Sequence, residues 1–273
     1  MTHFVCVTCG TQFADSGEAP PASCPICEDP RQYVPPGGQA WTTLEALRAR
    51  GHANTWRQVA PDLLAIHSVP QVGIGQRALL LRTPQGNVLW DCITLLDEAT
   101  VTLVRGLGGL AAIAISHPHY YSAMVEWSRA FGCPVWLHAA DRRHVMRPDA
   151  AALRFWEGET HALLPGVTLH RLGGHFAGGT VLHWENGRGG ALLSGDIAQV
   201  APDRHVSFLW SYPNMIPLPA AEVARMGAVL AGLEFETVHG AFPGRDIPSG
   251  GKAAVARSVA RYIAALEAVP AER

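Results

Sequence analysis

No stretch of this 273-residue chain approaches the roughly 20 consecutive apolar residues that a membrane-spanning helix requires. Charge is scarce as well. Only 16% of residues are charged, the net charge is −2, and Lys and Arg nowhere gather into a basic face, which removes the electrostatic basis for nucleic-acid binding. The opening residues MTHFVCVTC have neither the apolar region of a signal peptide nor the Arg-rich character of a transit sequence. Internal repeats and low-complexity tracts are missing too. These absences lead to the expectation of a cytoplasmic protein with a small-molecule partner and no nucleic-acid or membrane partner. The length suffices for one large core with a small appendage.

Six cysteines are present, and four of them fall in the first 27 residues as two C-x-x-C pairs, "CVTC" and "CPIC". Without an export signal, Cys6, Cys9, Cys24 and Cys27 favour a metal over disulfides. Four thiolates on one ion stabilise a segment too short to bury a core of its own. Cys92 and Cys133 stand alone in apolar runs and read as small buried hydrophobes. The stretch "FVCVTCGTQFADSGEAPPASCPICEDPRQYV" resembles the small rubredoxin-like domain at the end of rubrerythrins: both cysteine pairs match, as do Gly10, Pro25 and the aromatic positions Phe4, Phe13 and Tyr33. Full-length rubredoxins carry glycine where this chain has Glu28, so the resemblance implies zinc before iron at this site. The expected organisation is a metal-binding domain over 1–34, a Pro/Gly linker over 35–39, and a large domain over 40–273.

Beyond the linker, "WTTLEALRAR" reads as a short helix capped by Thr42 or Thr43. "LLAIHSV", "RALLLRT" and "NVLWDCITLL" read as strands, the last two joined by the turn "PQGN". Helices are expected near 121–131, 139–146, 219–233 and 250–267. Strands are expected near 110–116, 134–138, 167–171, 180–184, 190–194 and 235–238. Strands in hairpins that then alternate with helices imply an α/β protein, a sheet sandwich with helices on its outer faces.

Residues 113–124, "IAISHPHYYSAM", place His117 and His119 just past an apolar strand. Side chains two apart in extended chain point the same way, so both imidazoles can meet one ion; a satisfied structural role stays open on the residues alone. Apolar run, glycine, then ligand-type residue recurs in "GGHFAGG" with His175 and "GALLSGD" with Asp196, and "FETVHG" ends in His239. Three histidines and one carboxylate suit zinc or a first-row metal such as iron. His67, His138, His170 and His183 read as core or surface residues.

Residues ~40–270 resemble the metallo-β-lactamase superfamily. "HPHYYS", "GGHFAGG", "SGDIA" and "VHGAF" follow the order of its H-x-H-x-D-H motif, glycine-turn histidine, bridging aspartate and final histidine, and Asp91 in "NVLWDC" resembles its early structural aspartate. The resemblance implies a four-layer αβ/βα sandwich. It also implies an intact first metal site from His117, His119 and His175 with Asp196 beside it. Tyr121 and Ser122 stand where the motif has its Asp-His pair, so the second site retains only Asp196 and His239. One active-site ion, Zn or Fe, is expected. A single zinc on three histidines still lowers the pKa of its water to about 7.

Three functional classes remain on this reading. The first is a hydrolase of an ester, thioester, lactone or amide, with Asp196 orienting water and Tyr121 near the oxyanion or on the metal. The second is a mononuclear iron oxidoreductase that uses His117, His175 and Asp196 in the manner of persulfide dioxygenases, with the cysteine domain as electron donor. The third is a non-catalytic binding or scaffold protein. Tyr120 competes with Tyr121 for the inward position, and both simply packing is a further alternative. Residues 205–219, with Phe208, Trp210 and Tyr212, line a substrate pocket, pack as a loop, or form a homo-oligomer contact. The use of Phe155 and Trp156 is open.

Overall fold

Branched apolar runs separated by tight turns form the two large sheets of this protein, as the hydrophobic pattern requires. The computed structural model describes residues 2–148 and 151–267, which fall into two units, 1–157 and 158–273. In the first unit the elements are β1 (Val5–Cys6), α1 (Pro25–Glu28), β2 (Trp41–Thr42), α2 (Leu44–Ala49), β3 (Ala53–Ala60), β4 (Leu63–Val69), β5 (Ala78–Leu81), β6 (Val88–Trp90), α3 (Glu98–Gly106), β7 (Ala112–Ala114), α4 (Met124–Phe131), β8 (Val135–His138) and β9 (Leu153–Trp156). Strands β3 to β9 make one seven-stranded sheet in chain order. Its first three pairings are antiparallel and its last three parallel. The parallel half needs crossovers, which α3 and α4 supply, and its strands β6 and β7 are buried at every position.

The N-terminal segment is woven into this unit. β1 pairs antiparallel with β2, so Cys6 lies opposite Trp41 across the Pro/Gly stretch. Phe13 meets Trp41 edge-on with ring centroids 5.0 Å apart.

The second unit runs through β10 (Thr160–Leu164), β11 (Val167–Arg171), β12 (Thr180–Trp184), β13 (Ala191–Gly195), β14 (Gln199–Val200), β15 (Val206–Ser207), β16 (Leu209–Ser211), β17 (Ile216–Pro217), α5 (Ala220–Ala231), β18 (Thr237–Gly240), β19 (Asp246–Ile247) and α6 (Gly251–Glu267). A six-stranded sheet has the order β10-β11-β12-β13-β18-β19. Only β13 and β18 are parallel in it, with α5 inside the connection. Val223, Met226 and Leu230 of α5 and Val255 of α6 share one core with Val181, Leu192 and Val238 of the sheet. Among the described residues no helix is long and apolar enough to cross a membrane.

Several boundaries differ from expectation. The strand expected over 87–96 stops at Trp90, because Asp91 has a φ of 58° and turns the chain. The helix expected from 121 begins at Met124, after a 3-10 turn over Pro118–Tyr120 and a left-handed Ser122 with φ of 43°. Residues Ala139–His144 form 3-10 rather than α-helical turns. Phe155 and Trp156 belong to the edge strand β9. α3 was not anticipated, since Thr100, Val101, Thr102 and Val104 disguise it as strand.

What starts α3 is its cap. Asp97 Oδ1 accepts the Thr100 amide at 2.7 Å, and Oδ2 accepts the Asn54 amide of β3 at 2.8 Å. Asp97→Ala removes both acceptors and should lower stability by about 1–2 kcal/mol, seen as a lower denaturant midpoint with an unchanged slope.

Candidate metal centres

The four N-terminal thiols converge. Cys6 and Cys27 sulfurs are 3.6 Å apart, Cys9 and Cys24 sulfurs 3.7 Å, and all four lie within 4.8 Å of one another. A disulfide would bring sulfurs to about 2.05 Å. A tetrahedron of thiolates around an ion with bonds of about 2.3 Å has edges of about 3.8 Å. The spacing therefore fits a four-thiolate metal site of the zinc-ribbon kind. Burial of all four cysteines, together with Ile26, Trp41 and Met146 around them, excludes water from it.

In the first unit, β7 delivers the histidine turn. Ser116 donates its amide to Asp91 Oδ1 at 2.8 Å, and its hydroxyl lies 2.9 Å from His117 Nδ1. The early aspartate thus fixes the chain one residue before the first ligand. His117 is extended, but the residues after it are not. The 3-10 turn, not strand alternation, brings His119 round until the two rings are 5.0 Å apart at 75°. Both histidines are buried.

The two tyrosines diverge. Tyr120 packs edge-on against His117 with centroids 4.3 Å apart. Tyr121, for which the sequence suggested an oxyanion role, instead lines a small space with Thr11, Gln12, Met146 and Arg147 of the same unit. Burial, helped by the Asp141 charge, pushes its phenol well above the usual tyrosine range. Ser122 is fully engaged: its hydroxyl donates to the Cys92 carbonyl at 3.2 Å and accepts from Gln76 Nε2 at 2.9 Å, while its own carbonyl accepts the Gln12 amide at 3.0 Å. Gln12, Gln76 and Arg147 carry no motif signal, and nothing in the sequence pattern could have singled them out.

In the second unit, His175 follows Gly173 and Gly174. A Cβ at Gly174 would come within 2.9 Å of Leu218 and Met226, and its φ is 76°, so glycine is needed there. His175 Nδ1 is 2.8 Å from the Trp210 carbonyl. A carbonyl only accepts, so Nδ1 carries the proton and Nε2 is the nitrogen with the lone pair. Asp196 follows Gly195 and is buried. Tyr212 Oη donates to the Asp196 carbonyl at 2.6 Å, with the Ser207 carbonyl at 3.2 Å, and burial followed by the Asp196 charge raises its phenol pKa. Trp210 and Tyr212, expected as substrate contacts through their rings, here hold two site residues in place. His239 has Nδ1 2.8 Å from Asp246 Oδ1 and Nε2 3.2 Å from Thr237 Oγ1, so both its nitrogens are engaged inside its own unit.

Comparison with known proteins gives the family and the fold. The sequence profile of the Metallo-beta-lactamase superfamily matches residues 73–266, and the chain belongs to that superfamily of metal-dependent hydrolases. It is 47% identical over 270 residues to the uncharacterized protein YmaE of Bacillus subtilis (strain 168), with 97% of each chain covered. Similar solved structures are VMB-1 (TM-score 0.59, 10% identity, 79% of this chain and 98% of that chain) and DIM-1 (0.58, 15%, 78% and 98%). FIM-1 from Pseudomonas aeruginosa, in its mono-zinc form, is also similar (0.56, 12%, 77% and 96%). The expected α/β metallo-β-lactamase sandwich is borne out.

Asp91 anchors the amide immediately before His117 from a fully buried position. Asp91→Ala leaves that amide without its acceptor and should cost about 1–3 kcal/mol by chemical denaturation of the metal-free chain.

Proposed function

We propose that the chain is a mononuclear metallo-hydrolase in which His117, His119 and His175 hold one ion, most readily zinc, and in which the substrate is an ester, thioester, lactone or amide. The observation that carries the reading is the donor set itself, three buried histidines, one with its tautomer fixed by the Trp210 carbonyl. Three neutral imidazoles and an open fourth position are the ligand set of a catalytic rather than a structural zinc. A divalent ion so held supplies a water of pKa about 7 and polarises a carbonyl.

The chain's own residues do the rest. Asp196, held through its carbonyl by Tyr212, orients water and accepts its proton. Tyr120 fixes the His117 ring by edge contact, and takes the inward position in place of Tyr121.

One ion rather than two is supported by residues within each unit. Ser122 has its hydroxyl and carbonyl engaged, and His239 is held between Asp246 and Thr237. FIM-1, which shares the fold, was crystallised in a mono-zinc form, so such a fold accommodates a single ion. In this reading residues 1–34 bind a zinc of their own, 35–39 link, and 40–273 form the catalytic domain of a cytoplasmic enzyme.

Elemental analysis of the full chain should find two zinc per chain, falling to one in His175→Ala with loss of hydrolysis across a panel of esters, thioesters, lactones and amides. Three metals per chain would overturn the mononuclear claim. Iron at the histidines together with oxygen uptake on a persulfide would replace hydrolysis by the redox reading.

A further inference from the structure

The two positions where this chain departs from H-x-H-x-D-H both face the N-terminal cysteine segment. Tyr121 shares its cavity with Thr11 and Gln12, and the Ser122 carbonyl accepts the Gln12 amide at 3.0 Å. The same segment is clasped at two further points. Thr94 Oγ1 donates to the Gly10 carbonyl at 2.7 Å, and a Cβ on Gly73 would come within 2.9 Å of the Cys9 backbone. Arg147, buried, donates to Gln12 Oε1 at 2.6 Å and to Glu126, and its other Nη meets His3 Nε2 at 2.9 Å. His3 Nδ1 lies 3.1 Å from the Phe13 carbonyl and must donate to it, which leaves Nε2 as the acceptor from Arg147.

We propose that Tyr121 and Ser122 are positioning residues that dock the four-cysteine segment, so that metal at Cys6, Cys9, Cys24 and Cys27 holds the turn carrying His117 and His119 in its ligating shape. The inference rests on the histidine-site reading above for its consequence, though not for the docking itself. Gln12 lies three residues past Cys9, at the foot of the first knuckle, where the Cys6 amide donates to the Thr11 carbonyl at 3.0 Å. Loss of the thiolate-bound ion unties that knuckle and with it the Gln12 amide. Ser122 holds a left-handed φ of 43°, which a non-glycine residue keeps only when its surroundings impose it. The imposing groups are Gln12, Gln76 and the Cys92 carbonyl. The cysteine segment therefore sets the geometry, and hence the metal affinity, of the histidine turn.

The test uses the full chain loaded with Co(II). Two variants separate the links: Cys24→Ser ejects the thiolate-bound ion, and Gln12→Ala cuts the Arg147 clasp while keeping all four thiols. In both, amide exchange over 117–122 should accelerate by about tenfold or more while β11–β13 exchange as in the parent chain. Chelator competition should show the histidine-bound cobalt weakened by about tenfold. Gln12→Ala should keep the thiolate–cobalt charge-transfer band that Cys24→Ser loses. Unchanged exchange over 117–122 in both variants overturns the proposal. If the parent chain takes up cobalt at the thiolates alone, the histidine-site reading fails, and the exchange data still decide the docking.

Discussion

The histidine site depends on a seven-residue turn, Ser116 to Ser122, being held at both ends. At its start, the Asp91 carboxylate accepts the Ser116 amide; at its end, the Ser122 carbonyl accepts the Gln12 amide. Between these anchors the chain goes from extended at His117 into a 3-10 turn and out through a left-handed serine. Such a path is not intrinsically favoured by Pro-His-Tyr-Tyr-Ser, and only hydrogen bonds from distant chain make it the lowest state. Two buried imidazoles are presented together because of it.

The second unit solves the same problem with main-chain acceptors. The Trp210 carbonyl selects the His175 tautomer, and the Asp196 carbonyl is itself an acceptor for Tyr212. Strand β16 and the turn that follows it therefore order two site residues, through hydrogen bonds that say nothing of side-chain identity at 210. A reading of that segment from its aromatic content naturally looks to ring contacts with substrate, because side-chain type is all that a sequence displays.

Legibility followed the range of the interactions involved. The thiolate site was readable because four cysteines at knuckle spacing carry their chemistry locally. Strands β11 and β12 and helices α5 and α6 were readable to within two residues, since their apolar period is uninterrupted. The pairing of His117 with His119 was anticipated for a different geometric reason, strand alternation, and the 3-10 turn achieves it instead. Helix α3 was hidden by β-branched residues that its Asp97 cap overrides. Gln12 and Arg147 were illegible outright: the contact that joins them spans 135 residues, and no local pattern encodes it.

That span has a bearing on how the chain is made. The cysteines that gather into one cluster all lie within the first 27 residues, whereas the guanidinium that receives Gln12 is residue 147. At translation speeds of about 5–20 residues per second, the N-terminal segment emerges roughly ten seconds before the surface it docks on exists. Closing a loop of that length carries an entropic cost that an already cross-braced segment shares only in part. During this interval the thiolates, the β1–β2 pairing and the Phe13–Trp41 contact are what organise the segment. A four-thiolate cluster whose members all lie within 27 residues can close on an ion long before Arg147 is made, so the knuckle's assembly is independent of the surface it later meets.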